Sequence, residues 1–282
     1  MRPSFRAEIL KLAKWPAMWV LAAVLLVLAQ VFGYLIPYVG YRSGGGSGFA
    51  AGLTEAQLLA DILPANLVGN TLSGFPLFAG ALALTIGALA TGSEYGWGTL
   101  KTSLTQRIGR LSMLVGKLAA VATVILAVVL VLFAMNSLWS GVIAESVGRP
   151  ADWPSPFDLA GGIAAGWLIL GMWTLVGALL GTLFRSTSLA IGLGLVWALA
   201  VENLVRGFAG LIGFLDAFQR GLPGVNAGSL VASLGAAPLD ESGGTPGVMA
   251  VVDGSQALMV LIAYVVVLVV ISGLVLRRQD VK

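Results

Sequence analysis

Long apolar runs alternate with short polar connections along this chain, and the length of the runs sets the architecture. A helix that crosses a bilayer needs about 20 largely apolar residues. Six stretches meet that measure: 16–37, 72–92, 112–135, 158–184, 187–206 and 257–276. They predict an all-α membrane protein with six transmembrane helices in a single domain over residues 1–282.

Shorter patterns lie between the runs. In SFRAEILKLAKWP, the apolar residues Phe5, Ile9 and Leu12 fall at helical spacing, while Lys11 and Lys14 can reach anionic headgroups. This predicts an amphipathic helix lying along the membrane before the first span, the alternative being a basic anchor that only sets topology. A short helix is expected near 54–63, after the RSGGGSG run. Within 207–256, GFAGLIGFLDAFQ and PGVNAGSLVASL are too short to span and too apolar for a solvated loop, so re-entrant or interfacial helices are expected there. PLDESGGTPG reads as ordinary loop.

The most cationic connection is SEYGWGTLKTSLTQRIGRLSMLVGK, between the second and third spans. Leu100, Leu104 and Ile108 recur every fourth residue and form one apolar edge, with Lys101 and Thr105 beside it. Gly96, Gly98 and Gly109 loosen the chain on both sides. Such a segment could fit a groove on a soluble partner, or act as a basic loop touching headgroups. The Gly116-Lys117 pair does not make a P-loop. Gly109 lies seven residues before Gly116, and Leu118 stands where a serine or threonine would be needed.

Composition narrows the chemistry. Hydrophobic residues make up 58% of the chain and charged ones 10%, which fits a membrane solvent. Cysteine and histidine are both absent, which removes disulfides, thiolate chemistry and the commonest general base and metal ligand. No Ser/Lys or Asp/Asp constellation lies inside a span, so no catalytic residue or metal ligand is predicted. The cations sort by side. With the N-terminus inside, the inner segments hold Arg2, Arg6, Lys11, Lys14, Lys101, Arg107, Arg110, Lys117, Arg185, Arg277, Arg278 and Lys282. Arg42, Arg149, Arg206 and Arg220 remain outside. This predicts a multi-pass protein of the cell (plasma or inner) membrane with both termini cytoplasmic. The net charge of +3 then follows topology, and no nucleic-acid partner is expected. The basic start leads into an apolar run too long for a signal peptide, so the first run is read as an uncleaved span.

Apart from Lys117 and Asp158 near span ends, Glu202 and Arg206 are the charged residues within the spans. They stand four apart with the acid first, the favourable order for a helical ion pair. They read as a structural pair near the membrane surface or as an outer gate. No line of carboxylates crosses the bilayer, which weakens a proton-coupled transporter. Gly162 with Gly166 and Gly177 with Gly181 predict close helix packing in the fourth span. Trp167 and Trp173 read as packing or lipid contacts.

The order Glu94…Gly98-Thr99-Leu100-Lys101…Leu104…Arg110…Gly116-Lys117 resembles the signature of export-type ABC transporter permeases, the ABC-2 family. It lies where that family carries it, and the six spans, the N-terminal amphipathic elbow helix and the partly re-entrant segment before the last span extend the resemblance over nearly the whole chain. Arg107 departs from the pattern, since many members have a proline near that position. The resemblance implies a transmembrane permease subunit of an ATP-driven exporter. It would pair with a second permease chain, identical or not, and dock two separate ATPase subunits that supply ATP and Mg, with no cofactor in this chain. Residues 99–107 would be the cytoplasmic coupling helix, with Glu94 at its hinge and Arg107, Arg110 and Lys117 in the same contact region. An apolar substrate path between two permease chains would suit lipid-like molecules, hydrophobic drugs or amphipathic peptides, with membrane lipids around it. The alternative is a non-transporting scaffold or signalling protein that recruits another partner through the basic loop.

Overall fold

A computed structural model describes residues 2–45, 52–96, 109–241 and 243–278. Ten helices and no strand are found among the described residues. Six are long and apolar enough to cross a membrane. In chain order they are α1 (Arg2–Lys14), α2 (Pro16–Arg42), α3 (Glu55–Ile62), α4 (Pro64–Tyr95), α5 (Arg110–Val147), α6 (Pro156–Phe184), α7 (Thr187–Ala209), α8 (Gly213–Gln219), α9 (Pro223–Ser233) and α10 (Gly254–Arg278). The six spans are α2, α4, α5, α6, α7 and α10. Of these, α4 and α6 are the most buried, while α2, α7 and α10 present most of their surface outward.

Glycine explains why α4 and α6 form the core. A Cβ at Gly87 would overlap the carbonyl of Thr174, and one at Gly177 would overlap the carbonyl of Leu84. Gly181 meets Thr91, and Gly80 seats the ring of Trp173. The two backbones therefore touch where any side chain would hold them apart. Thr91 reinforces the contact, its Oγ1 donating across to the Ala178 carbonyl at 3.0 Å. Gly162 and Gly166, one turn apart on α6, likewise make room for Val68, Leu72 and Phe75 of α4. Close packing through the two glycine pairs is as expected. Trp173 is fully buried, and Trp167 is a surface residue whose Nε1 donates to the Ala122 carbonyl at 2.9 Å.

Two spans run through prolines that should break them. Pro37 lacks the N–H that would bond the Gly33 carbonyl, and α2 absorbs it with a π-turn over Val31–Leu35. The Gly33 carbonyl instead accepts from Asn70 Nδ2 of α4 at 3.0 Å. Pro76 sits in a second π-turn, Phe75–Ala79, where the Ala79 N–H reaches the Gly74 carbonyl at 3.0 Å. Nearby, Asn136 of α5 accepts from Gln30 at 2.8 Å and donates to Thr71 at 2.9 Å, tying α2, α4 and α5 together.

Several boundaries differ from expectation. The second span starts at Pro64 rather than 72, and α5 continues 12 residues past 135 to Val147. At 38 residues α5 is about 57 Å long, well beyond a hydrocarbon core of about 30 Å. Its extension packs on α3: Ser140 Oγ donates to the Ile62 carbonyl at 2.9 Å, and Ile143 joins Tyr34, Leu59 and Ile62 in a small apolar cluster. The short helix near 54–63 is α3, started by Thr54 and Gln57 capping each other. Of the two short apolar segments before the last span, one is exposed and one enclosed. α8 is largely exposed, whereas α9 is buried from Pro223 to Val231 and packs on α4 and α10.

Candidate functional site

Two buried charges, Glu94 and Lys117, meet at the end of the bundle where α1, the last described turn of α4 and the first turns of α5 come together. Glu94, near the last described residues of α4, is buried and requires counter-charge. Two lysines supply it. Lys117 of α5 makes a direct ion pair with Glu94 Oε2, and Lys11 of α1 lies 2.5 Å from Oε1. Glu8 is 3.4 Å from Lys11 and makes the cluster neutral, with two acids and two ammonium groups. The side chains of Lys117 and Glu94 are only 5% and 10% exposed, so each charge depends on the other.

The same geometry corrects the reading of α1. Lys11 is not free to reach headgroups, because it is bound to Glu94. Leu12 is buried in the core, and Phe5 and Ile9, partly buried, pack against it, with α5 as the principal neighbour of α1. Gly116 permits this approach: a Cβ there would lie 2.8 Å from Ser4 Cβ and 3.1 Å from the Phe5 nitrogen. Trp19 completes the joint, its Nε1 donating to the Ala13 carbonyl at 2.7 Å. A small cavity adjoins the Glu94–Lys117 pair, lined also by Thr91, Tyr95, Met113, Leu114, Thr182 and Leu276. Leu276 brings the end of α10 to this site.

Gly98, Thr99, Leu100, Lys101, Leu104 and Arg107 lie outside the described residues, and so does the side chain of Arg110. Of the predicted contact residues, the structure therefore brings together Glu94 and Lys117. Lys11 is the partner that sequence reasoning missed. Its signal was indirect: an acid and a lysine at the ends of two spans are costly to bury and require partners.

Glu202 and Arg206 occupy a different place and do different work. Glu202 is 1% exposed. It accepts from Trp197 Nε1 at 3.1 Å and lies against the first turn of α9, where a Cβ on Gly224 would overlap its carboxylate. Glu202 thus caps the start of a buried helix from a neighbouring span, where the dipole favours an anion. Arg206 turns toward Asn203 Oδ1 and the sulfur of Met249. The pair is within electrostatic reach, but its side chains bond to other groups. Tyr264 of α10 donates to the Gly221 carbonyl at 3.0 Å and holds the same turn from the other side. Among the described residues, no group of three or more acidic side chains converges as a metal site.

A family model described as "Protein of unknown function (DUF2705)" matches residues 23–211. No curated protein matches the chain. The matched region contains both glycine-packed spans and the Glu94–Lys117 pair, while α1 with Lys11 precedes it.

Proposed function

We propose that this chain, which belongs to the DUF2705 family, is the membrane-embedded permease subunit of an ATP-driven exporter, powered by separate ATPase subunits. One observation carries the reading. The two helices that flank residues 97–108 are clamped to each other and to α1 by a buried ion cluster of Glu94, Lys117 and Lys11. A cationic segment held on such a joint can pass a displacement to three helices at once. Spans α4 and α5 would receive it at their ends, and α1 would carry it sideways along the membrane surface.

The ion pairs suit transmission. A buried, neutral, hydrogen-bonded cluster resists separation, because pulling out one member strands its partner in a poorly solvating site. The tight α4–α6 contact then extends the movement into the core, since helices with touching backbones shift as a unit. In this reading residues 99–107 engage a groove on the ATPase, with Leu100 and Leu104 as the apolar contacts and Lys101 and Arg107 at the rim. Nucleotide binding and hydrolysis reside in the partners, which hold ATP and Mg. A second permease chain would complete the path, and the outward surfaces of α2, α7 and α10 are available to it or to lipid. An apolar path favours hydrophobic or amphipathic cargo.

Gentle isolation from the native membrane, followed by identification of the copurifying proteins, tests this reading. A P-loop ATPase in stoichiometric amount is expected, and it should be lost when Leu100 and Leu104 are both replaced by Asp. Recovery of a partner without nucleotide-hydrolysing motifs would favour a scaffold or signalling role instead.

A further inference from the structure

The outward end of α7 continues into an apolar surface that the bundle does not cover. Leu204 and Phe208 on the last turns of α7 are exposed, and the exposed surface runs on through Leu211, Ile212 and Phe214 to Phe218. Leu211 is 79% exposed and Phe214 73%, values that water would penalise heavily for side chains of this size. The rings of Phe214 and Phe218 stack with centroids 6.0 Å apart and planes 17° apart, giving one continuous aromatic face on α8. About half a turn around the same helix, Asp216 and Arg220 form an exposed ion pair at 2.9 Å.

Depth along the span identifies what meets this face. At 23 residues α7 is about 34 Å long, slightly more than a hydrocarbon core of about 30 Å. Only Gly210–Ile212 separates it from α8, so α8 lies at the level where hydrocarbon gives way to headgroups. Trp153, exposed just before the start of α6, is a residue type that forms a belt at that level. We infer that α8 is a membrane-interface wedge, with Phe214, Phe218 and Leu211 inserted among the lipids of that leaflet and the Asp216–Arg220 pair facing water. Because the pair balances its own charge, the lipid contact is apolar in origin and does not select anionic headgroups. The inference does not depend on the ATPase reading.

The absence of cysteine in the natural chain allows a direct test. Leu211→Cys, Phe214→Cys, Phe218→Cys and Asp216→Cys are each spin-labelled in the full-length protein and reconstituted in phosphatidylcholine vesicles. Collision with oxygen, which partitions into lipid, is compared with collision with a water-soluble nickel chelate. The oxygen-to-nickel ratio should be higher at 211, 214 and 218 than at 216 by about threefold or more. It should be unchanged when phosphatidylglycerol replaces part of the phosphatidylcholine. Equal ratios at all four positions would place α8 in water and overturn the inference. Protection of 211, 214 and 218 from both reagents would overturn it equally, because a protein surface would then cover the face. A ratio that rises only with anionic lipid would contradict the charge-balanced contact.

Discussion

Glu94 is a buried acid, and its two lysines are what make that position tenable. Removing it would leave Lys117 buried without a counter-charge. Glu94→Ala should therefore destabilise the protein by about 3–5 kcal/mol, read as a fall in the thermal midpoint in detergent. Glu94→Ala combined with Lys117→Met should recover much of that loss, since neither charge is then stranded. Lys11→Met should cost less, because Lys11 is the more exposed of the two lysines. Asp61 on α3 behaves differently. Burial raises its pKa above the ordinary carboxylate range, so the folded protein binds this proton more tightly than the unfolded chain does. Its effect on stability therefore worsens as pH rises from the ordinary carboxylate pKa through the raised one. Asp61→Asn should raise the thermal midpoint at pH 7 and leave it nearly unchanged at pH 3. Glu94 and Lys117 could be singled out in the sequence as part of a motif. The bond of Glu94 to Lys11, 83 positions upstream, could not, because nothing local to either residue records it.

Among the elements, helix existence was far more legible than helix extent. Hydropathy marks the portion of a helix that lies in lipid, so the six spans could be read directly. The polar-flecked stretch NSLWSGVIAESV, which carries α5 on to Val147, satisfies α3 rather than lipid and was missed. The π-turn in α2 was invisible for another reason: the carbonyl it frees is satisfied by an outside donor, Asn70 of α4. Asn70→Leu should leave the Gly33 carbonyl without that donor and cost about 1–3 kcal/mol. A wider spacing of α2 and α4 near these residues, measured by paired spin labels at neighbouring positions, would accompany it. The glycine pairs in α6 were legible as small faces, but their partner was not. Gly177→Ala, which introduces a methyl against the Leu84 carbonyl, should destabilise by about 1–3 kcal/mol. Gly171→Ala, with nothing within 4 Å of the added carbon, should be neutral or slightly stabilising. Thermal unfolding of the two variants side by side separates the effects.

Taken whole, the molecule has a rigid pair at its centre, three more exposed spans around it, and different fittings at its two ends. One end carries the cationic helix α1 and the buried ion cluster. The other carries α3, the enclosed helix α9 capped by Glu202, and the aromatic face of α8. This asymmetry suits a machine driven from one side and closed at the other. It also explains why Glu202 and Arg206, predicted as a mutual pair, bond elsewhere: the carboxylate serves the N-terminus of α9 and the guanidinium serves Asn203 and Met249. Glu202→Gln keeps an acceptor but loses the charge, so it should loosen α9 and speed amide hydrogen exchange over 223–233 with little change elsewhere. The central claim is that the chain takes its driving force through residues 97–108. A photo-activated crosslinking residue at position 104, illuminated in native membranes, measures this most directly. Capture of a P-loop ATPase, reduced by Glu94→Ala, is the predicted result. Labelling of position 104 from the outer side of the membrane, or capture of lipid alone, would contradict it.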